Sequence, residues 1–336
     1  MLSTRRSAAL AATLLVALVA AGCSSSPAAT GTPAATGAPS ATGTPASSTG
    51  GGVKVAALFP GLVDDQSWNQ AGYEGLKKAE AGGATIAYTE KVTQDQQVEV
   101  FRNYAQQGMN IVIGHGGEYM DAALQVGSEF PNVQFVVTNG NKSAANVTSL
   151  SLGYGDMGYL SGVLACSMTK TNKIGLVVGE TIPIANDSIK GWKDGCARVN
   201  PNAVVTVSIT GDWADTDKAR EAALALVADG ADVLGHLLDA ADAGVFAAAE
   251  DKGLYAIGLY ADESSFGPTS HIGAALADAS LVVFKAASEP LDGKVHSEGA
   301  AEGVVSFGAF SDKVPQAVRD AVKAAEDDLK SGTTQF

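Results

Sequence analysis

Basic and aromatic residues are both scarce in this sequence of 336 residues. It contains 22 Lys and Arg against 36 Asp and Glu, and its formal net charge is −14. Proteins that bind nucleic acid need basic patches to contact phosphate, and the sequence has no basic run. We therefore exclude nucleic acid as a partner. Aromatic residues make up only 6% of the chain, so the positions of its 3 Trp carry information about function.

The sequence also lacks the signatures of common hydrolase, nucleotide-binding and metal sites. It has no G-x-S-x-G elbow, no phosphate-binding P-loop and no grouping of Ser, His and carboxylate residues. Its 4 His are scattered, without the spacing of a metal-ligand pair (His115, His236, His271 and His296). We therefore expect no catalysis, no bound metal and no cofactor.

Residues 1–23 have the pattern of an export signal. Arg5 and Arg6 precede an apolar run at 8–20 that is too short to cross a bilayer, and small residues then lead to Cys23. This order is typical of a bacterial lipoprotein signal, so we predict a signal peptide at 1–22 and lipid on Cys23. The protein would then be anchored in the cell membrane on its extracytoplasmic face. The alternative is an ordinary secretory peptide with an incidental Cys.

Residues 24–52 contain only Ser, Thr, Ala, Gly and Pro, a composition that cannot form a hydrophobic core. We predict a flexible tether at 23–52 and a folded region that begins near Val53. No later apolar run approaches the ~18 residues that a membrane-spanning helix needs. Cys166 and Cys196 remain once Cys23 is assigned to lipid, and outside the cytoplasm they form either a disulfide or two buried thiols.

From Val53 onward, apolar runs of strand length alternate with longer amphipathic segments. Predicted strands lie at 53–59, 84–88, 111–113, 133–137, 147–152, 173–178, 204–209, 232–237, 254–259 and 303–307. Predicted helices lie at 69–81, 95–107, 118–129, 157–168, 187–199, 216–229, 241–252, 276–288 and 315–331. This alternation is typical of parallel sheets covered by helices on both faces, and its restart near Lys173 predicts two doubly wound α/β lobes.

Two of the Trp lie in loops that follow predicted strands, where open α/β sheets bind their ligands. Trp68 follows the first strand, and Trp213 follows the strand at 204–209 in the other lobe. Two such rings facing each other across a cleft would stack a flat ligand between them. The alternative is that each Trp packs only within its own loop. Trp192 lies within a predicted helix, and we expect it in the core.

Two loops before helices contain further signals. Ser67 or Asn69 can cap the first helix, and the polar residues that do not cap it are available to a ligand.

The segment 153–158 has the G-x-G-x-x-G spacing of dinucleotide-binding loops. The strand before it comes fifth in its lobe rather than first, and Met157 and Tyr159 are bulky beside a pyrophosphate. We therefore interpret these glycines as a tight turn and a close packing contact.

Several short segments, taken in order, resemble the basic membrane protein (BMP) family of lipoproteins. The segment DQSWNQAGYEG at 65–75 resembles the opening motif of the family. Further landmarks follow at 113–116, 135–137, 162–165, 168–170, 173–179, 182–183, 230–233 and 257–258. The resemblance covers residues 53–290, and the order and spacing of the segments carry it.

This resemblance implies a type 1 periplasmic-binding-protein fold, in which three crossings join two α/β lobes around a ligand cleft. The lobes would lie at 53–170 plus 272–300 and at 171–267 plus 301–336, with hinges near Thr171, Pro268 and Ala301. The resemblance also implies a substrate-binding subunit of an ABC importer for purine nucleosides, with permease and ATPase subunits as partners. We expect this subunit to be a monomer.

In the BMP family, an aromatic residue from each lobe sandwiches the purine base, and Trp68 and Trp213 match those positions. Asp65 and Asn69 match polar residues of the family that contact the ligand. The other residues that we expect at the ligand site are Ser67, Gly116, Asp239, Tyr260 and Asp262.

The chain departs from the family pattern at the sugar end of the site. Leu276 stands where family members usually have a lysine that holds the sugar. Asp239, Tyr260 and residues 266–268 are similar to a branch that binds free purine bases. The sequence thus leaves open whether the ligand is a nucleoside or a base. Two other functional classes remain: an exported hydrolase that acts on nucleosides, and a sensor or surface protein that works without a transporter.

Overall fold

The computed structural model of the chain describes residues 52–65 and 68–336. The predicted signal peptide, Cys23 and the predicted tether up to residue 51 lie outside the described residues, as does Ser67. A lipid anchor on Cys23 and a ligand contact by Ser67 therefore stay predictions. In the part of the chain that is described, no helix has both the length and the apolar character to cross a membrane.

Strands and helices alternate along the described chain, as the sequence pattern predicts. The first part contains β1 (Lys54–Leu58), α1 (Trp68–Ala81), β2 (Thr85–Thr89), α2 (Gln97–Gln106), β3 (Ile111–His115), α3 (Met120–Glu129), β4 (Gln134–Thr138), β5 (Val147–Leu152) and α4 (Tyr154–Met168). The second part begins with β6 (Lys173–Val178), α5 (Pro183–Val199), β7 (Val204–Ile209), α6 (Thr216–Ala228), β8 (Val233–Leu237), α7 (Asp242–Lys252) and β9 (Tyr255–Tyr260). It ends with β10 (His271–Ala277), α8 (Ala279–Ser288), β11 (Val295–Glu298), β12 (Val305–Phe307) and α9 (Gln316–Lys330).

These strands form two sheets of six strands each. The first sheet has the order β11-β5-β4-β3-β1-β2, and all of its neighbouring strands are parallel. The second has the order β12-β10-β9-β8-β6-β7, and only its edge strand β12 is antiparallel. The two doubly wound α/β lobes predicted from the sequence are confirmed.

The strands are buried because their hydrophobic residues serve both faces of each sheet. Alternate side chains of a strand point to opposite faces. In β1, Val55 and Ala57 join the core beneath α1 and α8, whereas Ala56 and Leu58 join the core beneath α2 and α3. All four are fully buried. A strand covered on both faces therefore reads as a continuous apolar run, which is why the pattern identified it.

The chain crosses between the two sheets at three places, and two of them differ from the predicted positions. It first crosses at Gly153, because α4 leaves the first sheet and packs against α5, α9 and β10 of the second. It returns at Asp278, since α8 packs against α1 and β5, and it crosses again at 299–304, between β11 and β12. The predicted boundaries near 170 and 268–272 are therefore wrong: α4 and β10 belong to the second lobe.

The three crossings lie side by side. Gly153 N donates to Glu298 O at 2.9 Å, and Asp278 N donates to Val304 O at 3.0 Å. Ala300 N donates to the carboxylate of Asp156 at 2.8 Å. A bundle of three short, mutually hydrogen-bonded segments is the kind of connection at which two lobes can hinge. Hinge motion itself stays a prediction, now centred on these segments.

Helices α4 and α5 pack so closely that several of their glycines have no room for a side chain. A Cβ on Gly158 or Gly162 would overlap the backbone of α5, and a Cβ on Gly191 or Gly195 would overlap the backbone of α4. The G-x-G-x-x-G segment thus runs into a helix–helix contact, in agreement with its interpretation as a packing element rather than a nucleotide loop.

A disulfide and a buried Trp complete this contact. Cys166 of α4 and Cys196 of α5 are joined by a disulfide, with their Cα atoms 5.0 Å apart. Of the two alternatives for this pair, the structure has the bridge. Trp192 of α5 is 1% exposed, so its predicted place in the core is confirmed.

Candidate functional site

Most of the residues predicted for the ligand site lie beyond the carboxyl ends of strands in both lobes. Those of the first lobe are Asp65, Trp68 and Asn69 after β1, and Gly116 after β3. Those of the second lobe are Trp213 after β7, Asp239 after β8, and Tyr260 at the end of β9. Ligands of open α/β sheets bind outside the carboxyl ends of the strands. The topology therefore brings these residues to the edges at which a cleft between the lobes can form.

Trp68 is the first residue of α1, and His115 holds its ring in place. The two rings are stacked, with centroids 4.1 Å apart and planes 13° from parallel. Trp68 Nε1 donates to His115 O at 3.3 Å, and His115 Nε2 lies 2.9 Å from Trp68 O. Trp68 itself is partly exposed. The contacts therefore fix one side of an aromatic plate that a ligand can still reach.

His115 supports this plate in its neutral form. The ring is fully buried, and burial lowers the pKa of His115 to about 4, although the hydrogen bond to Trp68 and the nearby charge of Asp65 oppose the shift. Its other nitrogen, Nδ1, lies 3.1 Å from Thr138 Oγ1. A neutral ring therefore donates from Nε2 to Trp68 O and accepts from Thr138 at Nδ1. The sequence reasoning missed this role because it searched the histidines only for metal ligands.

Asp65 and Asn69 stabilise the loop that leads into α1. The Asp65 carboxylate accepts from Asn69 N at 3.1 Å, from Gln70 N at 3.0 Å and from Asn69 Nδ2 at 2.7 Å. Asn69 Oδ1 accepts from Gly61 N at 3.1 Å, and Asn69 is buried. Asp65 thus caps the N-terminus of α1, because a carboxylate accepts from several of the unpaired N–H groups there, while a capping role for Ser67 lies outside the described residues. Ligand contacts by Asp65 and Asn69 stay predictions.

Gly116 forms the tight turn after β3. Its φ of 147° belongs to a backbone conformation that favours glycine, and a Cβ there would overlap the carboxylate of Glu118. Burial raises the pKa of Glu118. Gly116 thus lets the chain turn directly behind His115 and places an acidic side chain at the same strand end.

Trp213 has the corresponding place in the second lobe. Its ring lies against Gly179, at the end of β6, so closely that a Cβ on Gly179 would overlap the indole. Trp213 O accepts from Asp239 N at 3.0 Å and from Ala241 N at 3.2 Å. The loop after β8 therefore holds the loop that carries Trp213. Like Trp68, Trp213 is partly exposed.

The charge of Asp65 affects the pKa of Asp239, although the two residues belong to different lobes. Burial raises the pKa of Asp239, and the charge of Asp65 raises it further. A like charge has this effect only when it is nearby. Asp239 is nevertheless exposed to solvent. The charge of a first-lobe carboxylate therefore reaches a carboxylate of the second lobe.

Tyr154, Tyr260 and Asn139 form a cluster that the sequence reasoning identified only at Tyr260. Asn139 Nδ2 donates to Tyr154 Oη at 3.1 Å, and the rings of Tyr154 and Tyr260 meet edge to face with centroids 6.3 Å apart. Burial raises the pKa of Tyr154 to about 12. Asn139 and Tyr260 both have left-handed backbones, with φ of 54° and 67°. That conformation is rare for a bulky residue and occurs preferentially at functional sites.

Asp262 is exposed, and its carboxylate accepts from Ser264 N at 3.0 Å within its own turn. This bond gives it a turn-stabilising role, and its contact with ligand stays a prediction. Among residues 52–65 and 68–336, no group of three His, Cys, Asp or Glu is arranged to hold a metal ion.

Comparison with known proteins identifies the family and the fold. A family model described as "Bmp: ABC transporter substrate-binding protein PnrA-like" matches residues 52–333. The transcriptional activator protein med of Bacillus subtilis is 29% identical over 78% of this chain and 84% of its own length. A purine-binding protein of Brucella abortus is 27% identical over 83% of this chain and 81% of its own. The nucleoside-binding protein BmpA of Lactococcus lactis is 26% identical over 85% and 91%.

Two solved structures have the same fold. A transcriptional activator of the comK gene from Bacillus halodurans has a TM-score of 0.71 and 27% identity, over 84% of this chain and 99% of that one. An ABC transporter solute-binding protein from Conexibacter woesei has a TM-score of 0.65 and 26% identity, over 84% and 98%. The periplasmic-binding-protein fold predicted from the sequence is confirmed.

Proposed function

Because the chain belongs to the Bmp family of PnrA-like ABC transporter substrate-binding proteins, we propose that it binds a purine nucleoside or a free purine base in the cleft between its lobes and delivers it to an ABC permease. The family membership confirms the resemblance to basic membrane proteins found in the sequence. Relatives named as purine-binding and nucleoside-binding proteins support the choice of ligand.

The observation that carries the proposal is the pair of Trp residues at strand ends of different lobes. Trp68 is stacked on His115, and Trp213 lies against Gly179. A purine is flat, and an aromatic ring against each of its faces would bury most of its apolar surface. Its N–H groups would then meet the carboxylates of Asp65 and Asp239, which can accept charge-assisted hydrogen bonds.

We also propose that the protein works at the extracytoplasmic face of the cell membrane, through lipid on Cys23. A flexible tether of the length of residues 24–52 has a typical end-to-end distance of about 30 Å. That reach lets a folded receptor meet a permease in the same membrane. Metabolic labelling with palmitate should mark the wild-type protein and not the Cys23→Ala variant; equal labelling of both would contradict the anchor.

The competing hydrolase class makes a different prediction. A binding protein returns its ligand unchanged, and the family consists of substrate-binding proteins. Incubation with inosine should therefore leave the nucleoside intact. Release of free hypoxanthine at a rate that scales with protein concentration would favour the hydrolase. A sensor that works without a transporter would bind purine but fail to copurify with permease and ATPase subunits.

A thermal-shift screen followed by calorimetric titration tests the ligand class. Ligand at a hundred times its Kd stabilises the folded state by about 2.7 kcal/mol, so purines should raise Tm clearly. The screen should include nucleosides, bases and sugars, because one relative is named a putative glucose-binding protein. Stabilisation by glucose and not by any purine would overturn the proposal. Small-angle scattering should also show a smaller radius of gyration with ligand, since a ligand that touches both lobes favours closure.

A further inference from the structure

Three ionisable side chains, two of them buried, lie close together in the second lobe near Trp213, Asp239 and Tyr260, the residues proposed to form its wall of the cleft. His236 of β8 and Glu263 of the loop after β9 are 1% and 7% exposed. Glu263 Oε2 lies 2.9 Å from His236 Nε2 and accepts from Leu259 N at 3.0 Å. The carboxyl of Asp242, in the first turn of α7, is near enough to Glu263 for the two groups to shift each other's pKa, and Asp242 Oδ1 accepts from Ala243 N at 2.5 Å. His236 Nδ1 has no hydrogen-bond partner among the described residues, so Glu263 alone orients the imidazole by hydrogen bonding.

Each member of this network is close to a residue of the wall. Asp239 lies three residues from both His236 and Asp242, and its N–H holds Trp213 O. Leu259, whose N–H is bound by Glu263, immediately precedes Tyr260. A change in the protonation or geometry of the network can therefore reach Trp213, Asp239 and Tyr260 through one backbone hydrogen bond or a few residues of chain.

We propose that Glu263 is a positioning residue for the second-lobe wall, and that the protonation of its network sets how well this wall binds ligand. The inference rests on the proposed function, since it concerns the same cleft. It assigns Glu263, His236 and Asp242 no contact with the ligand; they act through Trp213, Asp239 and Tyr260.

The protonation states follow from the surroundings of each group. Burial and the adjacent charge of Glu263 raise the pKa of Asp242 to about 6. Burial disfavours the charged forms of His236 and Glu263, but the attraction between the two charges outweighs the effect of burial. The pKa of Glu263 is therefore lowered, and that of His236 is raised. Below about pH 6, a protonated Asp242 therefore donates to the Glu263 carboxylate. Above it, two ionised carboxylates face each other and that hydrogen bond is lost.

Other titratable groups face the network from neighbouring elements. His271 of β10 lies near Glu263, and burial lowers its pKa. Burial raises the pKa of Tyr260, and hydrogen bonding within its turn lowers the pKa of Asp262. Because these groups stay in every variant proposed below, the difference between wild type and variant isolates the contribution of Asp242 and Glu263.

The first experiment needs no ligand. The indole N–H of Trp213, assigned with Trp213→Phe, is followed by NMR from pH 5 to pH 7.5. We expect its chemical shift to titrate with a midpoint near pH 6 in the wild type. Glu263→Gln and Asp242→Asn should remove that transition. In Glu263→Gln, the amide oxygen still accepts from His236 and Leu259, while the amide nitrogen donates to an ionised Asp242.

The second experiment measures affinity for guanosine, inosine, adenine and hypoxanthine over the same pH range. The Kd of the best purine should rise about three- to tenfold from pH 5 to pH 7.5 in the wild type, as expected for coupling of up to one pKa unit. In Glu263→Gln this rise should shrink to less than twofold. Glu263→Ala should weaken binding at every pH, because it removes the acceptor of Leu259 N.

Glu250→Gln is the matched control. Glu250 also holds the loop after β9, but at its far end, where it accepts from Thr269 and Ser270. It should leave both pH profiles as in the wild type. A Trp213 signal that does not titrate near pH 6, or that titrates equally in Glu263→Gln, would overturn the inference. If no purine binds at any pH, the proposed function fails, and the Trp213 titration still decides whether the network acts on the wall.

Discussion

The two lobes place a histidine at the same point of their sheets. His115 ends β3, which pairs with the first strand of its lobe, and His236 lies near the end of β8, which pairs with the first strand of the other lobe. A glycine precedes each of them. Both rings are buried, yet their pKa values shift in opposite directions: burial lowers that of His115 to about 4, whereas the charge of Glu263 overcomes burial and raises that of His236.

The difference comes from the partners of the two rings. His115 bonds to Trp68 O and Thr138 Oγ1, which carry no charge. His236 bonds to a carboxylate. The hydrogen bonds of His115 behind Trp68 are therefore neutral and do not change near neutral pH, whereas we propose that the second-lobe wall is coupled to protons. The same residue type at equivalent strand ends thus supports a fixed plate in one lobe and an adjustable one in the other.

The largest expected effect comes from the disulfide between α4 and α5, which connects two helices of the second lobe. The bridge spans 30 residues of sequence. Closing a loop of that size in the unfolded chain stabilises a protein by about 3–4 kcal/mol. The double variant Cys166→Ala/Cys196→Ala should lose about this much free energy of unfolding in urea, and hydrogen exchange should quicken first in α4 and α5. A wild type with two free thiols under denaturing, non-reducing conditions would contradict the bridge.

The pH dependence of stability should separate the two walls. Folded His115 takes up a proton only below about pH 4, but the unfolded side chain does so near its ordinary pKa of 6.5, so His115 removes stability as pH falls from 6.5 to 4. Folded Asp242 is already protonated below about pH 6, but the unfolded side chain only below 3.8, so Asp242 adds stability over nearly the same interval. The two contributions oppose each other in the wild type.

Replacing one group at a time separates the two contributions to the pH dependence of the free energy of unfolding. As the pH falls from 6.5 to 4.5, the free energy of unfolding of His115→Gln should rise relative to that of the wild type. Over the same interval, that of Asp242→Asn should fall relative to the wild type. We expect each change to be on the order of 1–3 kcal/mol, with Asp242 at the lower end because solvent reaches it in part. Urea denaturation at four pH values measures both. Parallel profiles for the two variants would show that the walls do not differ in this way.

The Trp plates should contribute similarly to affinity despite their different supports. Trp68→Ala and Trp213→Ala should each weaken binding of the best purine by about 5- to 150-fold, because stacking of a base on an aromatic ring contributes roughly 1–3 kcal/mol. Calorimetric titration measures the loss. Trp68 begins α1, Trp213 lies in the loop before α6, and both are partly exposed, so the variants should melt cooperatively.

Trp192→Ala is the control for the Trp variants. Trp192 is 1% exposed in α5, so its truncation should lower Tm and leave affinity nearly as it was. Asp65→Ala should weaken binding too, both by loss of an acceptor for the ligand and by release of the N-terminus of α1. If the folded Trp68 and Trp213 variants bind as tightly as wild type, the sandwich does not exist.

Sequence pattern predicts the lobes well because each buried strand is an uninterrupted apolar run. It fails at β10, whose sequence HIGAALA has few β-branched residues, and at β11, which is only four residues long. It also fails to show that α4 changes lobes, because a helix has the same apolar pattern whichever sheet it covers. The positions of the crossings depend on contacts between distant elements, which no local pattern contains.

The candidate site shows the same division. Strand-end position and rarity identify Trp68 and Trp213 in the sequence, and Tyr260 follows from resemblance. Asn139, Tyr154 and the two supporting histidines have no local signal, because their roles depend on partners 15 to 47 residues away. Tyr154 lies within the segment 153–158, which the sequence pattern identifies only by its glycine spacing.

The smallest expected effect concerns Tyr154, which connects the two walls that differ. Asn139 of the first lobe donates to its hydroxyl, and the ring of Tyr260 of the second lobe meets its ring edge to face. Tyr154→Phe keeps the ring and removes one hydroxyl, a loss of about 0.5–1.5 kcal/mol for an ordinary hydrogen bond. Affinity for the best purine should fall about three- to tenfold if the cluster positions both walls. Tyr159→Phe is the matched control, because Tyr159 lies in the same helix and its hydroxyl accepts from Arg198. It should lower stability by a similar amount without weakening binding, and an equal loss of affinity in both variants would mean that Tyr154 acts only through the stability of α4.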